Sequence, residues 1–506
     1  RIHKQTMSKS GSRSGIDYPS ALQDALAWLG APPADDPLRD LAPLRTHLGG
    51  IASVAIPPLQ YFKILELFQT RANLTGSTVK PLLLDATLPV AKRLRTVAHG
   101  LMDVHEALAA GYSRVIHETT REKLHSLKRT PVQLCALGLA NLAQQFEVAQ
   151  LISAPAPADF WECVLRFHGL IRADTPSPAE ADEAMRRMKA LLALAAAQPE
   201  GFSPRETAFL AEYLRTQAMA VEIGASAEDR ADDGYWLDAT QGFPPTATSR
   251  RTPPGNAALH FSCSALSRLA CTHLAHIEQG ERPESFGLPH EILFADYRSV
   301  LARAAERWAS PPKRQTHRRR HGYRVAVCTH LGSLWQQLRS GDGAAETAVE
   351  LATSDWMVLN ESPSGYAIMH VAGELGGLVS GSAIGLRPAP GEPWNICVVR
   401  WARSENPEHI ELGLELVSPL AEAVRIARHD TDGEQPPIPA LLLPPLPALH
   451  RGEALLTARG YFAPGAFTLV QESPDRVKVT ACAAGQLSMH TACIEIFEFE
   501  RNLSAL

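Results

Sequence analysis

Between Tyr18 and about Ser226, apolar residues recur mostly with the period of a helix. The clearest stretch runs through Leu94, Val97, Leu101, Val104, Leu108, Tyr112 and Val115, at steps of three and four. That spacing puts one apolar stripe on a long helix, with Arg95, Asp103, Glu106 and Arg114 off the stripe. Such a stripe suits an intrachain bundle, and it also leaves room for a homo-oligomer seam. Two further helix starts are written in the chain, at Ser177-Pro178-Ala179-Glu180 and Ser203-Pro204-Arg205-Glu206. Each supplies a Ser cap, Pro at the first helical position and a Glu that reaches back to the cap.

The pattern changes after Asp229. Tyr235, Trp236 and Leu237 read as a short strand, and proline pairs at Pro244-Pro245 and Pro253-Pro254 mark a loop. Helices are expected from Ala258 to Gln279 and from Tyr297 to Trp308. Past the linker Ser310-Pro311-Pro312 the period falls to two. Tyr323, Val325 and Val327 alternate with Arg324, Ala326 and Cys328; the same alternation recurs near Ile396 and near Ile410. Half-buried strands in succession predict a β-barrel or sandwich. Gly433 to Pro447 is proline-rich and reads as an extended surface segment, and Glu453 to Arg501 reads as β-rich again. The sequence shows no repeat of fixed period.

These patterns divide the chain into five parts. Residues 1–17 are a tag remnant (Arg1 to Thr6, ahead of a plausible initiator at Met7) and a tail. Residues 18–226 form an α-helical domain and 227–310 a mixed connecting segment. A basic linker and β-barrel occupy 311–430, and a proline-rich linker with a β-rich extension occupies 431–506. The fold class expected is α+β multidomain, since 506 residues exceed what one core serves.

Charge and composition narrow the chemistry. A net charge of −5 provides no global field for nucleic acid or anionic lipid, so any anion site must be a local basic cluster. The eight cysteines form no C-x-x-C pair, so free thiols in a reducing cytoplasm are expected and no structural metal or cofactor. Cys271-Thr272-His273 and Cys328-Thr329-His330 look alike but lack metal-site spacing. No apolar run approaches the ~20 residues of a membrane helix. Nucleophile elbow, Walker A, zinc-protease and dinucleotide motifs are absent in suitable context, so no catalytic residue is assigned.

One constellation remains. Lys313 to Arg324 is the most basic run, and it ends Arg319-Arg320-His321-Gly322-Tyr323-Arg324, of the form R-R-x-x-x-R. Further on, Asn360-Glu361-Ser362-Pro363-Ser364-Gly365 has the form [DN]-x-S-x-x-G and leads directly into a strand. Arginine's planar fork grips phosphate bidentately and pairs equally well with O6 and N7 of guanine. Asn360 and Ser362 offer polar contacts for a base edge or for the turn itself, and Gly365 permits positive φ or a close approach. The ordered pair of motifs, bracketed by alternating strands, resembles the PilZ domain, a cyclic di-GMP-binding barrel.

The resemblance covers about Arg319 to Pro419 and implies several expectations. Arg319, Arg320, Arg324, Asn360, Ser362 and Gly365 would surround cyclic di-GMP, with the arginines on a flexible segment ahead of the first strand. Asn360 stands where the family more often has Asp. The chain would be a bacterial second-messenger receptor signalling to a protein partner in motility, pilus, secretion or exopolysaccharide machinery. The rival expectation is a degenerate barrel that binds a protein, or nucleic acid through the basic run.

Overall fold

The computed structural model describes residues 18–126, 128–174, 177–224, 234–238, 242–254, 258–311, 319–340, 353–430, 433–434, 436–447, 451–473 and 475–501. The expected tag and tail, and the basic linker from Pro312 to Arg318, lie outside them.

The helical portion holds α1 (Tyr18–Gly30), α2 (Pro37–Ala52), α3 (Pro58–Leu83), α4 (Lys92–Glu118), α5 (Arg121–Ser126), α6 (Pro131–Leu151), α7 (Phe160–Ala173), α8 (Pro178–Ala196) and α9 (Pro204–Gln217). The apolar stripe lies on α4, where Val97, Leu101, Val104, Leu108, Tyr112 and Val115 are buried against neighbouring helices. Both Ser capping boxes form, and a third begins α6 at Thr130 and Gln133.

Next come β1 (Glu222–Gly224), β2 (Tyr235–Asp238), β3 (Thr246–Ala247) and β4 (Ala258–Ser262), a four-stranded sheet in the order β1-β4-β2-β3. It is followed by α10 (Ser264–Glu278) and α11 (Ala295–Ala309). The helix expected to begin at Ala258 therefore opens as a strand, because Leu259 and Phe261 pair with Leu237 and Tyr235. This segment is no mere connector. Tyr235, Phe261, Leu266, Leu301 and Trp308 share one core with Met188, Leu192, Phe209 and Tyr213, and Trp308 Nε1 donates to Ala193 O at 2.9 Å.

The first barrel follows: β5 (Arg319–Cys328), α12 (Leu331–Ser340), β6 (Thr353–Ser362), β7 (Gly365–Ala372), β8 (Ala383–Arg387), β9 (Asn395–Asn406) and β10 (His409–Ser418). It closes in the order β10-β7-β6-β5-β8-β9, all antiparallel. Val325, Val327, Trp356, Val358, Ile368, Leu386, Val399 and Leu412 fill its interior. Gly413 is required by packing, since a Cβ there would lie 1.8 Å from Trp401 Nε1.

The rest of the chain corrects two expectations. β11 (Glu422–Asp430) belongs to the C-terminal sheet, so the first barrel ends before residue 422 and not at 430. The proline-rich stretch is not a surface strap. It contains β13 (Ile438–Leu443), whose Leu441, Leu442 and Leu443 are buried, after the two-residue strand β12 (Gly433–Glu434). Pro439 is tolerated because β14 pairs with β13 only from Leu441 onward, leaving that stretch open on one side. With β14 (Ala454–Ala458), β15 (Gly465–Ser473), β16 (Arg476–His490) and β17 (Ile494–Arg501), the sheet runs β11-β13-β14-β17-β16-β15 and closes through β11–β15 pairing.

The extension is therefore a second barrel. Taken strand by strand, its pairings repeat those of the first: first with second, second with third, third with sixth, sixth with fifth, fifth with fourth, fourth with first. The two barrels clamp α12 between them. Cys328, Ile396, Val398 and Val417 of the first meet Leu441, Leu443, Leu456 and Ile496 of the second around Leu334 and Trp335. Trp335 Nε1 donates to Val424 O at 2.8 Å, and Arg339 and Arg425 lie over its ring.

The helical portion docks on the first barrel through polar hooks. Arg95 is buried, although the periodicity placed it off the apolar stripe. Its Nη2 donates to Ser404 Oγ at 2.6 Å, at the end of β9. Leu88 and Leu378 exchange backbone bonds of 2.8 and 3.2 Å, and Ser380 Oγ donates to Glu200 O at 2.7 Å.

Candidate ligand-binding site

Antiparallel closure gathers the start of β5, the β6–β7 hairpin, the start of β9 and the end of β10 at one end of the first barrel. Arg319, Arg320, Asn360, Ser362 and Gly365 lie at this end of the fold. Arg319 stands opposite Glu361 and Arg320 opposite Asn360 in the β5–β6 ladder. Arg324 stands further along, opposite Met357. All three arginines are exposed, and none has an ion-pair or hydrogen-bond partner among the described residues. One expectation needs correction: these arginines are part of strand β5 rather than of a flexible segment before it. They hold that position because β6 is long enough to pair with them, across a bulge that leaves His321 and Gly322 outside the ladder.

The hairpin explains the second motif. Pro363 and Ser364 make the turn, and Ser362 pairs with Gly365. Ser362 Oγ donates to Gly365 O at 3.3 Å and lies 3.2 Å from Ser364 Oγ, so the hydroxyl braces the turn. Gly365 has φ +154°, and a Cβ there would lie 1.9 Å from Leu414 O. The glycine lets β10 press directly on the hairpin, and Leu416 N donates to Ser364 O at 2.9 Å. Glu415, opposite Gly365, is held by Arg400 at 2.8 Å.

Five residues at this end, Glu361, Tyr323, His321, Tyr366 and Asn395, were given no role in the site by the sequence alone. Glu361, the free position inside the hairpin motif, accepts a 2.5 Å bond from Tyr323 OH on Oε2. His321 Nε2 lies 3.3 Å from its Oε1. Burial, and then the bond to Glu361 and its charge, push the Tyr323 phenol up and keep it protonated. Tyr366, beside Glu361 in the β6–β7 ladder, is likewise raised, chiefly by burial, and Asn395 Nδ2 donates to its OH at 3.2 Å. The available signal was a carboxylate written into an arginine-rich anion motif, a charge that needs a reason.

Among the described residues, no group of three or more His, Cys, Asp or Glu is placed to hold a metal ion. His273 is instead bonded to Tyr213 OH at 3.0 Å. No described helix is long and apolar enough to cross a membrane.

The helical portion and the first barrel each match a known domain. Residues 23–228 match the family described as the N-terminal domain of the cyclic-di-GMP receptor FimW. Residues 255–423 match the one described as the middle PilZ domain of the same receptor. The cyclic-di-GMP receptor FimW of Pseudomonas aeruginosa is 30% identical over 123 residues, which is 24% of this chain and 20% of that relative. The match thus spans about a fifth of that relative's length. The two domain matches follow one another along the same helical and barrel architecture, and the chain carries a PilZ domain behind a helical region similar to that of the receptor.

Proposed function

We propose that this chain is a cyclic di-GMP receptor whose first barrel holds the ligand at the end carrying Arg319, Arg320, Arg324 and the Asn360–Gly365 hairpin. The observation that carries the reading is the set of three exposed guanidinium groups, without partners among the described residues, near a rigid hairpin. An exposed cluster of unpaired forks repels itself unless an anion joins it, and a cyclic dinucleotide supplies two phosphates and two guanines. The protein acts as a ligand-controlled effector and not as a catalyst. It works in the cytoplasm, where a second messenger circulates.

Transmission to a partner runs along the first barrel. The helical portion is hooked at Ser404, at the opposite end of β9 from the ligand end. Glu415 and Arg400 join the hairpin's neighbour β10 to the middle of β9. Ligand that re-seats the hairpin alters β10, then β9, then the Arg95 hook. The linker from Pro311 to Arg318 offers a second route, since the ligand grips residues that follow it directly. Only a difference in affinity between two arrangements lets a ligand shift them. Calorimetry with cyclic di-GMP tests the reading. Saturable binding that Arg320→Ala abolishes or severely weakens is expected; no binding by the intact chain contradicts it.

A further inference from the structure

Glu361 poses a physical problem that the receptor reading leaves open. A dianionic ligand is expected at an end of the barrel where a carboxylate already stands, about a third exposed. The simplest purpose for such a group is to neutralise an arginine. Yet among the described residues no arginine nitrogen lies within ion-pair distance of Glu361, and Arg319, directly opposite it in the ladder, is unpaired. The carboxylate is held instead by two side chains of β5: Tyr323 OH on Oε2 and His321 Nε2 on Oε1. The Tyr323 and His321 rings meet edge to face at 5.8 Å, and Tyr323 packs on the barrel core. The carboxylate is therefore aimed, and among the described residues no arginine pairs with it.

An ionised carboxylate has room for about four donors, so each oxygen keeps a lone pair after these two contacts. What remains is a fixed, planar, two-oxygen acceptor, next to Asn360 in β6 and opposite Arg319 in the ladder. The Watson–Crick edge of guanine presents N1–H and N2–H side by side and matches that acceptor. The same edge of adenine presents a ring-nitrogen acceptor next to its amino group, which sets lone pair against lone pair. Arginine forks at the same end can grip phosphate whatever the base. A fork on O6 and N7 of guanine still leaves the Watson–Crick edge unread, and the aimed carboxylate is the acceptor placed to read it.

We infer that Glu361 is the residue that selects guanine, accepting N1–H and N2–H of one base of the ligand, and that Tyr323 is its positioning residue. The inference rests on the receptor reading above and deepens it. A site built to accept hydrogen bonds rejects an analogue that lacks the donors, because its acceptor is then left facing another.

The experiment is calorimetry of the intact chain with cyclic di-GMP and with cyclic di-AMP, comparing the unsubstituted protein, Glu361→Gln, Glu361→Asp, Tyr323→Phe and Arg320→Ala. The unsubstituted protein should prefer cyclic di-GMP. Glu361→Gln should lower that preference roughly 10- to 100-fold, the range of one good bidentate base contact, while leaving cyclic di-AMP affinity equal or higher. Tyr323→Phe should lower the preference less, and Glu361→Asp should retain part of it. Arg320→Ala should weaken both ligands together. A Glu361→Gln protein that binds both ligands tighter by the same factor makes the carboxylate a mere repulsive neighbour and overturns the inference, while the receptor reading stands. If Glu361→Gln fails to fold, Tyr323→Phe decides: a melting temperature close to the parent's with an unchanged ligand ratio overturns it. Failure of the unsubstituted protein to bind cyclic di-GMP overturns the receptor reading itself, and this inference with it.

Discussion

The two barrels of this chain have the same strand connectivity but treat the corresponding end in opposite ways. In the first, the opening strand begins Arg319-Arg320, and both guanidinium groups are unpaired among the described residues. In the second, the opening strand begins with Glu422, which accepts from Gln471 Nε2 at 3.1 Å. At that end Arg501 is locked into a bidentate pair with Glu453 at 2.7 and 2.9 Å, and Arg451, in the connection before Ala454, is partly buried rather than exposed. The pKa of Arg501 is raised, first by its bond to Glu453. The third strands differ in the same sense. Gly365 faces Glu415 across its ladder, whereas Ala454 faces Glu498 across the matching one. The topology itself therefore demands neither free arginines nor a glycine. The glycine belongs to the tight hairpin of the first barrel and the arginines to the strand β5 beside it, where the second barrel has a longer connection between Leu443 and Ala454. Connectivity makes the scaffold, and local departures from it make the site.

The contrast can be broken at its strongest point, the brace between the barrels. Trp335→Ala should cost about 3–5 kcal/mol of unfolding free energy in denaturant melts, as for other large buried aromatics, because it empties the core shared by both barrels and frees Val424 O. A variant as stable as the parent would mean that the barrels do not support one another.

Next in size is ligand affinity. Arg320→Ala and Arg324→Ala should each weaken cyclic di-GMP binding by on the order of 2–4 kcal/mol, since a charge-assisted contact is lost and its partner oxygens are left bare. Arg501→Ala, in the second barrel, should leave affinity unchanged. Equal losses from all three would erase the distinction between the barrels.

The glycine gives a smaller, structural version of the same test. Gly365→Ala drives a Cβ into Leu414 O and should destabilise the protein by roughly 1–3 kcal/mol, by overpacking and by strain at a positive φ. The matching change in the second barrel, Ala454→Gly, should cost only about 0.5–1 kcal/mol through chain entropy. Thermal melts that rank them the other way would show that the hairpin is not specially tight. Smallest of all, Ser362→Ala should cost about 1 kcal/mol, the worth of one hydrogen bond, read in the same melts or as ligand affinity.

Much of this was legible in the residues. Alternation at Val325 and Val327, the capping boxes and the Pro363-Ser364 turn are local signals, and each element formed where its signal lay. The failures share a cause: the deciding partner is far away in the chain. Arg95 looks like a solvated charge until Ser404, 309 positions on, comes to meet it. β4 carries a helix-compatible pattern until β2 claims it. The prolines hid β13 because the open side of that strand is set by where β14 begins. Helix α12 was readable and overlooked, since Leu331, Leu334, Trp335 and Leu338 follow helical spacing. The second barrel repeats the first in connectivity without repeating its sequence, so no periodicity could announce it.

Hydrogen exchange across the whole chain, with and without saturating cyclic di-GMP, tests most directly whether the first barrel alone is the receptor. Slower exchange should appear at the start of β5, in the β6–β7 hairpin and at the end of β10. The β13–β14 connection and the ends of β15 and β17 should exchange as before. Protection centred on the second barrel, or bound ligand with no protection at the hairpin, would contradict the account.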